Sequence, residues 1–181
     1  MIETERLILR PFAEADREAF IDIAADPKVS AWLGSDKTRA EASVDFNRAR
    51  AFWEERRSGW LAIARKPDGR VVGRVCCRRQ PPEWEHPMGE VVELGWALAP
   101  DAWGAGYASE AAAAMLPWGF QRFDDAEIFA WTARANLRSQ AVMRRIGMTA
   151  KPECAFEHHL LAVQDPLRPH VVFARPRDSL G

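Results

Sequence analysis

Trp103-Gly104-Ala105-Gly106-Tyr107-Ala108 is the stretch whose residue types and spacing can do chemistry. Two glycines and two alanines just before a helix-forming run let a ligand approach the backbone closely. The unpaired N–H groups of a first helical turn, at the positive end of the helix dipole, then form an anion site, and phosphate is the anion that suits it. The spacing excludes two common phosphate loops. Gly104-Ala105-Gly106 lacks the third glycine of a dinucleotide fingerprint, and no acidic residue ends a second strand ~20 positions on. No Gly-Lys-Ser/Thr follows either, so this is not a P-loop. A tight strand-to-helix turn without a ligand is the other reading of the same residues.

The turn must be positioned by what flanks it. Val91, Val92, Leu94, Trp96 and Leu98 predict a mostly buried strand, which Pro100 and Asp101 stop. From Tyr107 the alanine-rich run predicts a helix, which Pro117 is expected to end or kink. Upstream, Thr4 to Arg10 alternates as a strand and Ala13 to Ala25 as an amphipathic helix with Phe20, Ile21 and Ile23 inward. Val29 to Gly34 reads as an apolar loop. Thr38 and Glu41 form a capping-box pattern for a helix over 38–57, with Val44, Phe46, Ala51 and Phe52 on apolar faces. Trp60 to Arg65 and Val71 to Arg79 make a hairpin around Lys66-Pro67-Asp68-Gly69-Arg70, and a proline-rich loop, 80–89, leads to the central strand. Downstream come a strand over 126–132, a helix capped by Asn136 and stopped at Gly147, a weakly patterned stretch, and a last strand over 170–174. The tail from Arg175 is expected to fray.

The chain has 181 residues, 48% hydrophobic and 28% charged, with a formal net charge of −1. That fits one domain, 1–181, with a sizeable core, and gives no bulk electrostatic reason for a nucleic-acid partner. No apolar run approaches a membrane span and the charged N-terminus is not a signal peptide. Cys76, Cys77 and Cys154 form neither a disulfide framework nor a metal spacing. They are read as buried or half-buried thiols of a cytoplasmic protein, with Cys76 and Cys77 on opposite faces of a strand. Of the eight tryptophans, most are expected in the core and some along a pocket.

Glu93-Leu-Gly-Trp-x-Leu-x-Pro-x-x-Trp-Gly-x-Gly-Tyr-Ala-x-Glu-Ala111 resembles the acyl-CoA-binding motif of the GNAT N-acetyltransferase superfamily. The superfamily's Gln/Arg-x-x-Gly-x-Gly/Ala falls on Trp103, Gly106 and Ala108, and the aromatic at 103 is similar to the branch containing the ribosomal-protein N-terminal acetyltransferases. Asn136-Leu-Arg-Ser139 through Gly147-Met148 continues the resemblance, which spans roughly Ile2 to Phe173. It implies an α/β (α+β) fold with a mixed, mostly antiparallel, six- to seven-stranded splayed sheet and about four helices.

It also implies the reaction: an acetyl group moves from acetyl-CoA to a primary amine, on a protein N-terminus or a small molecule, with no metal. Trp96, Ala97 and Leu98 would pair with pantetheine, and an N–H of Ala97 or Leu98 would polarise the thioester carbonyl. Trp103, Gly104, Ala105, Gly106, Tyr107, Ala108 and Ser109 would hold the pyrophosphate. Asn136 would bond pantetheine and Ser139 would protonate the departing thiolate. Glu93 is the first candidate for the base, and a structural or acceptor-binding carboxylate is its other reading. Glu90, Glu157, His158 and His159 are weaker options. Trp32, Glu93 and His158 would contact the acceptor, and acidic residues near the pocket lean toward a cationic amine. A non-catalytic acyl-CoA sensor is the competing reading, and both a monomer and a homodimer are compatible.

Overall fold

The computed structural model describes residues 1–34, 36–80, 87–159 and 161–179. In chain order it contains β1 (Ile2–Glu3), β2 (Leu7–Arg10), α1 (Arg17–Ala24), α2 (Pro27–Ser30), α3 (Arg39–Arg56), β3 (Gly59–Arg65), β4 (Val71–Gln80), β5 (Val91–Leu98), α4 (Tyr107–Arg122), β6 (Glu127–Ala133), α5 (Leu137–Arg145), β7 (Thr149–Ala150), β8 (Phe156–Glu157) and β9 (Pro169–Pro176). All strands join one sheet, β1-β2-β3-β4-β5-β6-β9-β7, with β8 also on β9. Six strands have four residues or more, matching the expected sheet; the two-residue β1, β7 and β8 are edge additions.

Every pairing is antiparallel except β5 with β6, which is parallel and registers only Val92 with Ile128 and Glu93 with Phe129. Beyond Glu93 the two strands separate, while β5 stays paired to β4 as far as Gly73 with Leu98. One edge of Gly95–Leu98 therefore carries no ladder.

Alternation along β4 sets the two layers. Cys77 faces α4, where a Cβ on Gly119 would sit 2.5 Å from its sulfur. Arg74, Cys76 and Arg78 face the other way, with Arg74 over the Phe20 ring of α1. Phe12, Phe20 and Phe46 interlock edge-to-face at 5.1–6.0 Å to tie α1 and α3 together. Both adjacent cysteines are fully buried and Cys154 is half-buried, and burial pushes the Cys76 thiol up to about 12.

Several expectations need correction. Val29 and Ser30 end a short helix, because Asp26 caps it through the Lys28 N–H and Pro27 fits its first turn. Pro117 does not end α4, which continues to Arg122 because Leu116, Gly119 and Phe120 stay buried. On α3 only Phe46 of the four named apolar residues is buried; Val44 and Phe52 are exposed. Nor is the segment 175–179 frayed. Arg175 bonds the Gly147 carbonyl at 2.7 Å, and Arg177 bonds the Phe120 carbonyl at 2.8 Å and the Phe123 carbonyl at 2.5 Å. The proline-rich loop lies outside the described residues from 81 to 86. Among the described residues no helix is long and apolar enough to cross a membrane.

Candidate functional site

A cavity of about 780 Å³ opens where β5 and β6 part. Its floor is β5 from Glu93 to Leu98. The turn after β5 closes one end, and the opposite end lies under the turn after α2 and the segment before β9. Leu98 lies five positions after Glu93, so ~17 Å of strand connects the two ends.

The geometry of the turn end suits an anion. Gly104 and Gly106 have φ of +79° and +84°, which a side-chain-bearing residue rarely adopts. Gly106 is the N-cap of α4 and has no side chain to cap the helix, so N–H groups of the first turn are left for a ligand. Trp103, Gly104, Gly106, Tyr107, Ala108 and Ser109 all line the cavity, whereas Ala105 does not. The Ala105 carbonyl instead accepts from Arg6 Nη1 at 2.9 Å. Arg6 is held by Glu110, which accepts from Arg6 N at 2.8 Å, Arg6 Nε at 2.7 Å and the Thr4 hydroxyl at 2.5 Å. Burial alone would raise the Glu110 carboxyl, but these hydrogen bonds override it and hold it below the usual carboxylate range. Arg145 donates to the Ser109 hydroxyl at 2.7 Å, and Arg138 stands over the Trp103 ring at 4.9 Å. The Trp103 indole N–H in turn donates to the Leu98 carbonyl at 2.9 Å.

In the middle, the free edge of β5 offers Trp96, Ala97 and Leu98 to an extended ligand, as an added strand would use it. Asn136 caps α5 by accepting from the Ser139 N–H at 3.2 Å. Both residues line the cavity from the β6 side.

At the far end Glu93 lies at the fork itself. Its Oε2 accepts from Gln80 Nε2 at 2.5 Å and from Arg78 Nε at 3.2 Å. Trp32 and His158 line the same end, and Glu90, Glu157 and His159 do not. Glu90 pairs with Arg79 at 3.0 Å and Glu157 with Arg168 at 3.4 Å.

Sequence reasoning missed three groups. Arg6, just ahead of β2, and Arg138 and Arg145, at the two ends of α5, stand around the glycine turn. Arg78 accompanies Glu93. His170 lines the cavity, and its Nδ1 lies 3.1 Å from the Arg168 carbonyl. A carbonyl only accepts, so Nδ1 carries the proton and Nε2 keeps a lone pair. His170 stacks on Phe156 at 5.2 Å and meets His158 at 5.0 Å. Burial pushes both imidazoles below their ordinary value. The buried Nδ1 of His158 has no hydrogen-bond partner among the described residues. The placement of tryptophan also differs from expectation. Five of the seven described, Trp32, Trp60, Trp96, Trp103 and Trp131, line the cavity and none is fully buried; Trp84 lies outside the described residues.

Known proteins carry this architecture. The model of the acetyltransferase (GNAT) domain matches residues 6–149. The uncharacterized N-acetyltransferase YnaD of Bacillus subtilis is 28% identical over 149 residues, 81% of each chain. The acetyltransferase structure from Agrobacterium tumefaciens is 31% identical, with a TM-score of 0.74 over 97% of this chain and 94% of that one. A ribosomal L7/L12 α-N-protein acetyltransferase solved with coenzyme A shares the fold at 18% identity, with a TM-score of 0.74 over 97% and 96% of the two chains.

Proposed function

The chain belongs to the GNAT acetyltransferase family, and from that membership we propose that it moves the acetyl group of acetyl-CoA to a primary amine by direct attack. The observation that carries this is the fork at Glu93, which runs along an unpaired strand edge into an arginine-braced anion turn.

The residues fit acetyl-CoA from end to end. N–H groups of the first turn of α4, with Arg138 and Arg145 beside them, match a pyrophosphate. The free edge of β5 matches the two amides of pantetheine. A backbone N–H of Ala97 or Leu98 stabilises the negative charge that develops on the thioester oxygen, an effect worth about 3–4 kcal/mol for a well-aimed donor. The amine nitrogen forms its bond to the acetyl carbon as the carbon–sulfur bond breaks. The sulfur takes a proton from the Ser139 hydroxyl, which regains one from solvent.

The amine must lose a proton before it attacks. Glu93 is the first group placed to hold and accept it, at the point where the strands part. Its Oε2 is already shared by Arg78 and Gln80, which favours the carboxylate as an anchor for the amine. The lone pair of His170 Nε2 supports a second reading, in which the imidazole accepts the proton from the opposite wall. Ser139→Ala tests the proposal. It should keep acetyl-CoA binding and lower thiol release by about 10²–10⁴-fold; undiminished turnover would remove Ser139 from the reaction.

A further inference from the structure

We propose that the acceptor is a monoamine carried on a flat apolar body, an arylalkylamine in type, rather than a polyamine or a basic peptide. This rests on the acetyl-transfer reading and adds the class of the second substrate.

Charge argues first. Among the described residues one carboxylate, Glu93, lines the whole cavity, against Arg6, Arg78, Arg138 and Arg145. At the turn end Arg6 is taken up by Glu110, and Arg138 and Arg145 stand beside the proposed pyrophosphate site. At the acceptor end the remaining pair, Glu93 with Arg78, is close to neutral. One ammonium can lie against Glu93. Among the described residues a second or third positive charge finds no further carboxylate there, and burying an unpaired cation is costly. The acidic residues nearby in sequence, Glu90 and Glu157, are engaged by Arg79 and Arg168 outside the cavity.

Trp60 does not supply the missing attraction. Trp60 is the ring on which a second cation would lie, yet the Arg74 guanidinium already stands 4.6 Å from its centroid and Arg78 5.5 Å. Arg74 is buried between Trp60 and Phe20. The cation–π capacity of Trp60 is taken up by the protein itself.

Shape and apolarity argue next. Val29, Trp32, Leu33, Trp131, Leu161 and Leu167 line the acceptor end. Trp32 and Leu33 are 37% and 42% exposed, two of the largest apolar side chains left open on the surface. A Cβ on Gly34 would sit 3.1 Å from Leu161 Cδ2, so the two loops that carry these residues touch over the cavity. Large apolar groups left exposed around a concave site suit an apolar ligand body. An aromatic body against Trp32 would bury its exposed face and place its ammonium toward Glu93.

The test is thiol release from acetyl-CoA across 2-phenylethylamine, tryptamine, spermidine and a short basic peptide with a free N-terminus, beside calorimetric binding of acetyl-CoA alone. The arylalkylamines should exceed spermidine and the peptide at least tenfold in kcat/KM. Trp32→Ala, and separately Leu33→Ala, should raise KM for the arylalkylamine several-fold and leave KM for acetyl-CoA unchanged. Preference for spermidine or the peptide overturns the acceptor class and leaves acetyl transfer standing. Acetyl-CoA binding with no release by either arylalkylamine overturns the class as well. Failure of acetyl-CoA to bind overturns the acetyl-transfer reading beneath it.

Discussion

Replacing Gly106 by alanine separates what the turn does for stability from what it does for the ligand. Gly106 sits at φ +84°, a conformation that costs an L-residue about 1–2 kcal/mol. For a chain of this length that lowers the melting temperature by about 2–8 °C. The new Cβ also lands 3.2 Å from Arg6 Nη2. Arg6 cannot move freely, because it is fixed on the Ala105 carbonyl and on Glu110. Either Arg6 or the turn must shift, and the N–H groups proposed to hold the phosphates shift with it. Loss of one charge-assisted hydrogen bond costs about 1.5–3 kcal/mol, which weakens acetyl-CoA about 10- to 150-fold. Thermal melting and calorimetry on the same variant give both numbers. A melting temperature that falls as stated while the Kd for acetyl-CoA stays within twofold would show that the phosphates do not sit at this turn.

Three further outcomes follow from other contacts. The Glu110 carboxyl is held low in the fold, so it contributes stability above its ordinary pKa that is lost as pH falls through the folded value; acid melting should steepen below about pH 4.5, and Glu110→Gln should flatten that limb. His170 is held below its ordinary value, so its neutral form persists as pH drops beneath 6.5. Around it Glu157 favours the charged form, whereas burial and neighbouring His158 oppose it, and Arg168 binds Nδ1 through its carbonyl. If His170 takes the proton, the acid limb of the pH–rate profile lies below that of free histidine and disappears in His170→Asn, with Glu93→Gln affecting mainly the amine KM; the reverse pattern assigns the proton to Glu93. Finally, Gly119→Ala drives a methyl to 2.5 Å from the Cys77 sulfur and 2.8 Å from Ile128 Cδ1, and overpacking of this kind should cost about 1–3 kcal/mol by chemical denaturation.

What could be read in the sequence was local. The Thr38–Glu41 capping box and the Asn136 end of α5 are set by side chains bonding within a few residues, and the Gly147 end by a glycine at φ +77°; each lies where the sequence puts it. The buried strand and glycine turn from Val91 to Tyr107 were legible for the same reason. The features that escaped depend on partners far along the chain. Arg6 braces the turn through Ala105 and Glu110, about a hundred residues away. Arg175 and Arg177 looked like tail residues because the carbonyls that hold them belong to Gly147, Phe120 and Phe123. His170 was passed over as the first residue of an apolar strand run; only the pairing of β8 with β9 shows it against Phe156 at the cavity wall. The placement of tryptophan escaped for a similar reason, since periodicity assigns a residue to a face and does not say that the face lines a gap between strands.

Acetyl transfer requires that amine and acetyl-CoA meet in the cavity and react. The most direct measurement is the initial rate of coenzyme A thiol release with the two substrates varied together. Release that requires an amine, saturates in both substrates and matches the acetylated amine one-to-one is the predicted result. Saturable acetyl-CoA binding with no amine-dependent release would contradict it, and would make the fold a sensor of acyl-CoA instead of an enzyme.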